Sequence, residues 1–220
     1  MLGNNGSGKS TFLGVLSGLN NYKGEYLLNG NGFDSIKRHD LSKQIGFLPQ
    51  TTTLNMPFDV FYVVLTGRFV HSDGRRYCAK DIKVTENTMR DFDIYHLKDR
   101  QFNELSGGEK QRVLLCRVVN MDTEILLLDE PFSGVDMLHQ AGVIKMLERL
   151  RDIKAIMVVI HDLSFAINHF ERFIFFKDGA LLYDLTSDEL TNKKMKDVFG
   201  IDIELLEHNN KKFIFIRDKG

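Results

Sequence analysis

The sequence has few cysteines, no long apolar run and almost no net charge. Its two cysteines, Cys78 and Cys116, lie far apart and lack the spacing of metal ligands, so we expect a reduced, cytosolic chain. No apolar run approaches the roughly eighteen residues that a membrane-spanning helix requires, and we therefore expect a soluble protein. The 29 lysines and arginines nearly balance the 30 aspartates and glutamates, which excludes a bulk electrostatic attraction to nucleic acid.

The pattern of apolar residues predicts an α/β fold with a mainly parallel core sheet. The 220 residues, 43% of them hydrophobic, are enough to bury the core of one domain or of a domain with a subdomain. Short apolar runs alternate with helical patterns, as in parallel sheets with helices on their faces. The predicted strands are 25–29, 44–48, 124–128 and 155–160, and the amphipathic helix 138–153 joins the last two strands as a β-α-β unit. Two further predicted helices, 57–69 and 81–92, interrupt this alternation and indicate an inserted helical subdomain.

Residues near the start of the chain have the spacing G-x-x-x-x-G-K-[ST], which is typical of a phosphate-binding loop. The glycines allow backbone N–H groups to approach a polyphosphate, and a helix predicted from Lys9 to Gly18 adds the positive end of its dipole. We expect Lys9 to reach the β- and γ-phosphates and the Ser10 hydroxyl to bind Mg²⁺. The predicted nucleotide-binding residues of this loop are Gly3, Asn4, Asn5, Gly6, Ser7, Gly8, Lys9, Ser10 and Thr11.

A second motif is the acidic pair that ends the apolar run 125–128. A buried strand that ends in carboxylates places them at the carboxyl edge of the sheet, where open α/β folds bind ligands. We expect Asp129 to orient Mg²⁺ or its waters, and Glu130 to accept a proton from an attacking water. If the pair stood alone, a solvated acidic turn would be the favoured interpretation.

A third motif, Leu105-Ser106-Gly107-Gly108-Glu109, precedes a predicted helix. Taken alone it is either an amide-rich anion site or a plain turn in which Ser106 caps the helix. Together with the phosphate loop and the acidic pair, it resembles the signature of the ABC transporter ATPases.

The remaining motifs of that family follow in the expected order. The resemblance implies that Gln50 senses Mg²⁺ and the γ-phosphate, and that His161 contacts the γ-phosphate and helps to position water. Residues 133–136 match the loop that crosses to the other subunit, and Asp136 is the acidic residue of this loop. The metal site implied by the resemblance consists of Ser10, Gln50 and Asp129.

In this family two copies face each other head to tail. The resemblance therefore implies a homodimer in which Ser106, Gly107 and Gly108 act in trans on ATP bound to the partner's phosphate loop. Closing the dimer would supply hydrogen-bond donors that each half-site lacks and would exclude water other than the nucleophile. Hydrolysis would then open the dimer.

The resemblance also implies domains, cofactors and partners. The fold would be that of a P-loop NTPase with an ATP-binding core (1–50 and 118–178), a helical subdomain (51–117) and a C-terminal strand and helix extension (179–220). The cofactors would be ATP and Mg²⁺. The partners would be integral-membrane permease subunits and, indirectly, a periplasmic or surface binding protein, without nucleic acid. The predicted location is peripheral, on the cytoplasmic side of the inner membrane.

Three stretches of the sequence indicate which kind of transporter this is. The segment from Asn55 and Met56 to His71, residues 161–166 and the tail from Val198 resemble the importer ATPases for iron-siderophore, haem, cobalamin and related metal chelates. The tail includes a polar turn at 208–210 and a strand at 211–218. A zinc or manganese importer ATPase is an alternative, since its sequence would look much the same. Soluble ABC proteins that do not transport normally carry two nucleotide domains or a long coiled-coil insertion, and this chain has neither.

Only Met1 and Leu2 precede the phosphate loop. Members of the family place a strand there, and upstream of it a small sheet with an aromatic residue that stacks on adenine; Tyr22, Tyr26 and Phe33 all lie downstream of that position. We expect that the N-terminal strands are missing, either because Met1 is an internal codon or because the chain is truncated. A truncated, non-catalytic ABC ATPase fragment is therefore a further alternative.

Overall fold

The structure, a computed structural model, describes residues 1–51, 57–72, 76–209 and 211–216. The chain folds into two compact units. The first, which we call the loop unit, comprises residues 1–14 and 158–220 and includes the predicted phosphate loop and His161. The second, the signature unit, comprises residues 15–157 and includes the other predicted site residues.

The elements follow the order that the apolar pattern predicts, and most of their bounds agree within three residues. The helices are α1 Lys9–Leu16, α2 Arg38–Gln44, α3 Val60–Leu65, α4 Ala79–Asp91, α5 Gly107–Asn120, α6 Met137–Leu150, α7 Leu163–His169 and α8 Asn192–Phe199. The strands are β1 Leu27–Leu28, β2 Asn31–Gly32, β3 Ile45–Leu48, β4 Ile125–Asp129, β5 Ala155–Val159, β6 Arg172–Lys177, β7 Ala180–Thr186, β8 Ile203–His208 and β9 Lys211–Ile216.

A three-stranded sheet in the order β3-β4-β5 forms the centre of the signature unit. Strands β3 and β4 are parallel, with Ile45 opposite Ile125 and Leu48 opposite Leu128. Almost every residue of these two strands is buried, because helices cover both faces of such a sheet. The predicted β-α-β unit is confirmed, since β4 and β5 are neighbours and α6 joins them.

The strand predicted at 25–29 is shorter than expected. It pairs only over Leu27–Leu28, opposite Asn31–Gly32, with the two residues between them forming the turn. Asn29 and Gly30 have φ angles of +51° and +79°, which is the geometry of a two-residue hairpin turn favoured by Asn-Gly. The dipeptide therefore ends the strand at Leu28.

The helix predicted at 57–69 is divided into two parts. An α-helix covers Val60–Leu65, and it continues as a 3₁₀ helix over Thr66–His71. Asp59 sets the start, because its side chain accepts a hydrogen bond of 2.6 Å from the Tyr62 backbone N–H. Gly67 lies so close to α5 that an added Cβ would be 2.4 Å from the Arg117 carbonyl oxygen.

A buried polar network joins this 3₁₀ helix to α4 and α5. The Arg68 Nε atom lies 3.2 Å from Asp81 Oδ1, and both side chains are less than 10% exposed. Arg68 also donates to the Asn120 carbonyl oxygen at 3.0 Å. The Asn120 side chain in turn donates to the Val64 carbonyl oxygen and to Thr85 Oγ1. Each buried charge and amide of this network therefore has a partner.

In the loop unit, Met1 and Leu2 lie between the end of β5 and strand β6. The Met1 amino group donates to the Val158 carbonyl oxygen, and Ile160 N–H donates to Met1 at 3.1 Å. On its other side Leu2 exchanges two backbone hydrogen bonds of 2.9 Å with Ile174 and Phe176. These two residues thus form the backbone hydrogen bonds that a strand before the phosphate loop would form. The pKa of the Met1 amino group is lowered to about 5, mainly by its burial and then by the nearby charge of Lys9.

The loop unit ends in a hairpin of β8 and β9, in which Ile203 lies opposite Ile216 and His208 opposite Lys211. An asparagine side chain is bonded to the backbone of each strand. Asn168 of α7 forms two hydrogen bonds, of 2.8 and 3.0 Å, with the backbone of Lys212. Asn192 of α8 accepts one of 2.9 Å from Leu205 N–H.

Some sequence predictions lie outside the described residues. These are the ones on Asn55 and Met56, on Asn210, and on the last two positions of the predicted strand 211–218. Among the helices that are described, none has both the length and the apolar character needed to cross a membrane.

Candidate functional site

The phosphate loop leaves the sheet directly after Leu2, at a position where only glycine fits. A Cβ atom added to Gly3 would lie 2.2 Å from the Phe176 carbonyl oxygen, and Gly3 has a φ angle of +144°. Any side chain would collide with β6 and strain the backbone. The first glycine of the motif therefore has a packing role that depends on a residue more than 170 positions away.

Lys9 lies against the loop that it follows. Its side chain is buried, and Nζ donates hydrogen bonds of 2.9 Å to the carbonyl oxygens of Gly3 and Asn4 and one of 3.3 Å to Ser7 Oγ. An ammonium group carries three protons, so a polyphosphate that binds Lys9 must replace some of these contacts. The other polar residues of the motif, Asn4, Asn5, Ser10 and Thr11, are exposed.

His161 follows β5 and is exposed. The residue before it, Ile160, donates its backbone N–H to Met1, two residues before Gly3. The sheet therefore brings His161 and the phosphate loop to the same edge of the loop unit. The next residue, Asp162, caps α7 by accepting a hydrogen bond of 2.9 Å from Phe165 N–H.

In the signature unit, Gln50 and Glu130 are in direct contact. Gln50 Nε2 donates a hydrogen bond of 2.6 Å to Glu130 Oε1, although the two residues are 80 positions apart. The parallel register explains the contact, because Gln50 lies two residues after Leu48 and Glu130 two residues after Leu128, and these leucines are paired. Two predicted site residues thus meet at the carboxyl edge of the sheet.

The backbone of Glu130 has an unusual conformation. Its φ angle is +52°, in the left-handed region that few residues other than glycine adopt. Its carbonyl oxygen accepts hydrogen bonds of 3.2 Å from Ser133 N–H and from Gln111 Nε2. Non-glycine residues held in this region occur frequently at active sites.

Gln111 is the residue that sequence reasoning missed. It lies in the first turns of α5, three positions after Gly108. Its side chain connects the helix that carries the signature with the backbone of Glu130. Its position two residues after the signature is the signal that the sequence offers.

Asp129 ends β4 and is 2% exposed. It is therefore a carboxylate buried at the end of a central strand, as the acidic pair predicts. The other residues of the predicted metal site are Gln50, in the same unit, and Ser10, in the loop unit. Hydroxyl, amide and carboxylate oxygens are ligands that Mg²⁺ accepts, so these residue types fit this metal, and their joint role in binding it stays a prediction.

Ser106 is the N-cap of α5. Its Oγ accepts a hydrogen bond from Glu109 N–H, while Glu109 Oε2 accepts one of 2.8 Å from Ser106 N–H and one of 2.7 Å from the Ser106 hydroxyl. These bonds, with Arg100 nearby, lower the pKa of Glu109. The capping role is thus correct, and it leaves Ser106 and Gly107 exposed at the start of a 14-residue helix.

Gly108 packs against the loop of residues 133–136. A Cβ atom added to Gly108 would lie 2.6 Å from the Gly134 carbonyl oxygen. A side chain would therefore separate the signature from this loop.

Asp136 is exposed and caps α6. Its two carboxylate oxygens lie 3.1 Å from His139 N–H and 2.6 Å from His139 Nδ1. These two hydrogen bonds lower the pKa of Asp136. The contact with another subunit that the resemblance implies stays a prediction.

Comparison with known proteins shows the family. The model of the ABC transporter family matches residues 1–133, more than half of the chain. This chain belongs to the ABC transporter family. As an ABC protein of the ATP-binding type, it binds ATP and is an ATPase, in agreement with the sequence prediction.

Curated ABC relatives match almost the whole chain. A hemin import ATP-binding protein of Pseudomonas fluorescens is 34% identical over 216 residues, covering 94% of this chain and 84% of the relative. An iron(3+)-hydroxamate import ATP-binding protein of Bacillus subtilis is 33% identical over 211 residues, covering 94% and 78%. A manganese transport ATP-binding protein of Halalkalibacterium halodurans is 34% identical over 195 residues, covering 87% and 76%.

A solved ABC structure has the same fold. It is an ATP-binding cassette in a dimeric, post-hydrolysis state with ADP and phosphate bound, and it is 26% identical to this chain. The match has a TM-score of 0.75 and covers 84% of this chain and 83% of the other. The predicted P-loop ABC ATPase fold is therefore confirmed.

Proposed function

We propose that this ABC chain is the ATP-hydrolysing subunit of an importer that takes up an iron chelate, such as haem or an iron-siderophore. The contact between Gln50 and Glu130 is the observation that carries the catalytic part. It holds a carboxylate at the carboxyl edge of the sheet, beside an amide that the resemblance assigns to sensing the γ-phosphate.

Each residue has a chemical role in this proposal. Backbone N–H groups of the phosphate loop and Lys9 bind the phosphates of ATP, with Lys9 exchanging its carbonyl contacts for phosphate oxygens. Glu130 accepts a proton from the attacking water, and His161 contacts the γ-phosphate. Ser10, Gln50 and Asp129 would hold Mg²⁺, which neutralises charge on the phosphates when bound.

The exposed start of α5 is the reason for proposing a homodimer. Ser106 and Gly107 present a capped helix N-terminus to solvent, and such an end attracts phosphate. In a head-to-tail pair it would cover ATP on the partner's phosphate loop. Asp136 would then lie near the point where the loop of residues 133–136 reaches the partner. The dimeric state of the solved cassette supports this arrangement.

We propose the permease contact on an apolar surface of α3, its 3₁₀ extension and α4. Phe58, just before α3, and Tyr62, Phe69 and Ile82 are between 38% and 59% exposed. The rings of Phe58 and Tyr62 lie 4.8 Å apart, and exposed apolar side chains that group together mark interaction surfaces. Contact with an integral-membrane permease would place the chain peripherally on the cytoplasmic side of the inner membrane. The binding protein would then act through the permease.

The iron-chelate class rests on the hemin and iron-hydroxamate relatives. The manganese relative covers less of this chain, so a zinc or manganese importer has weaker support. The division into a core (1–50 and 118–178), a helical subdomain (51–117) and an extension (179–220) remains a prediction.

Reconstitution tests the importer. The chain is combined in liposomes with the permease encoded beside its gene, and ATP hydrolysis is measured with the cognate binding protein. We expect stimulation when the binding protein carries haem or a ferric siderophore. Stimulation by manganese or zinc alone would contradict the chelate class, and lack of assembly with any permease would contradict the importer itself.

A further inference from the structure

The outer face of the C-terminal hairpin is apolar at its centre and charged at its ends. The β8–β9 register places six side chains on this face, which we call the hairpin face: Glu204, Leu206, His208, Lys211, Phe213 and Phe215. Leu206 and Phe213 form its central cross-strand pair, and they are 44% and 43% exposed. Phe215 is 52% exposed. Three large apolar side chains therefore adjoin one another at the surface.

The charges on this face are separated along the strands. Glu204 lies at one end, opposite Phe215, and Lys211 lies at the other end, opposite His208. We consider a twofold axis that lies in the plane of this face and runs across the strands at the Leu206–Phe213 pair. It places two copies face to face, with the acidic end of one copy against the basic end of the other. The face is thus complementary to itself, which is the requirement of a twofold contact between identical chains.

We propose that the hairpin face binds the same face of a second copy of this chain. The contact places the central leucine and phenylalanine of both copies together and forms two Glu204–Lys211 pairs across the axis. This inference rests on the proposed function, because the second copy is the other chain of the proposed ATP-dependent dimer.

The size of the face defines its role. Three apolar side chains cover a few hundred Å² at most, whereas a stable interface buries about 800 Å² per partner. The hairpin contact is therefore too small to hold two free chains together. Once the ATP sites close, it becomes an intramolecular contact and gains from the high effective concentration.

Zero-length carbodiimide cross-linking tests the contact. Equal amounts of ¹⁵N-labelled and unlabelled Glu130→Gln chain, which should retain ATP, are mixed with ATP and cross-linked. Glu204 and Lys211 of one hairpin are about 13 Å apart along the strands, so a zero-length bond between them has to join two chains. We expect mixed-isotope Glu204–Lys211 peptides in the dimer fraction.

The same hairpin supplies the control. Glu207 and Lys212 are a direct cross-strand pair on the opposite face, so their cross-link should carry a single isotope. A dimer that yields only single-isotope peptides overturns the hairpin contact alone. A chain that stays monomeric with ATP overturns the head-to-tail dimer and the hairpin contact with it.

Charge reversal gives a second test. Lys211→Glu and Glu204→Lys should each weaken the ATP-dependent dimer about 3- to 10-fold, and the double variant should recover most of the loss. Lys193→Glu makes the same charge change at an exposed position of α8 and should leave the dimer unchanged. If the double variant is no tighter than either single variant, the proposed pairing is wrong.

Discussion

Glu130 is held in place by two other side chains. Gln50 bonds to its carboxylate and Gln111 to its carbonyl oxygen, while the backbone adopts a positive φ angle. A proton acceptor has to be aligned with the attacking water. In the proposed mechanism, these bonds would align Glu130 before the substrate arrives.

Replacement of Glu130 tests the proton acceptor. Glu130→Gln should lower ATP hydrolysis at least about 100-fold, because a carboxamide does not accept the proton. ATP binding and dimer formation should persist. Phosphate release and nucleotide titration measure the two properties, and Glu124→Gln, the same change just before β4, is the control. Hydrolysis near the parent rate would show that Glu130 is not the base.

We propose Gln111 as a positioning residue for Glu130, because its side chain donates to the Glu130 carbonyl oxygen, and such a role calls for a different measurement. Gln111→Leu removes one hydrogen bond of about 1 kcal/mol, so kcat should fall about 3- to 10-fold. KM for ATP should not change, since Gln111 has no predicted contact with the nucleotide. Gln44→Leu in α2 is the matched control. A change in KM with constant kcat would assign Gln111 to binding.

At the scale of elements, local sequence sets where several helices begin. Asp59, Ser106, Asp136, Asp162 and Thr191 are all N-caps whose side chains accept a backbone hydrogen bond. Such short polar residues compensate the free N–H groups of a first turn. How the helices pack depends on partners distant in sequence, as the Arg68 network illustrates.

The ion pair within that network predicts a dependence on pH. Burial raises the pKa of Asp81, but hydrogen bonds from Cys78 and the contact with Arg68 outweigh it and lower the pKa overall. A lowered carboxyl pKa contributes stability that is present above the unfolded value of about 4 and is lost as the pH falls through the folded value. The parent should therefore lose this part of its stability only below about pH 4.

Asp81→Asn tests the contribution of the pair. It leaves the buried Arg68 without a counter-charge and should lower the free energy of unfolding at pH 7 by about 3 kcal/mol. Urea titrations at pH 7 and pH 3.5 measure the difference in free energy of unfolding between the parent and the variant. This difference should be smaller at pH 3.5. Asp152→Asn, in an exposed pair with Arg151, should cost less than about 1 kcal/mol. Equal effects of the two variants would contradict a special role of the buried pair.

At the scale of the whole molecule, nucleotide binding should stabilise the chain. A ligand at 100 times its dissociation constant adds about 2.7 kcal/mol. Lys9→Ala should abolish the rise in Tm caused by ATP, because the loop loses its charge toward the phosphates. Thermal unfolding with and without ATP measures the effect, and Lys145→Ala on the exposed side of α6 is the control. An undiminished rise would contradict the role of Lys9.

Much of the fold could be predicted because its signals are local. The strand at 44–48 and the helix at 81–92 are predicted from the spacing of their apolar residues. The bounds of both elements in the structure agree with the prediction within about two residues. The strand predicted at 25–29 is shorter in the structure because the Asn29-Gly30 turn ends it at Leu28. The 3₁₀ continuation after Leu65 was missed, since packing against α5 and not a sequence pattern favours it there.

The sequence by itself determined the family, the order of the elements and the residue types of the candidate site. These depend on the spacing of residues within motifs and on the periodicity of apolar residues, both of which are properties of residues close in the sequence. Tertiary structure alone decided that Gln50 meets Glu130, that Gln111 supports it, and that Gly3 has no room for a side chain. The reason is that strand register and close packing join residues that are far apart in the chain, and no local pattern records such pairs.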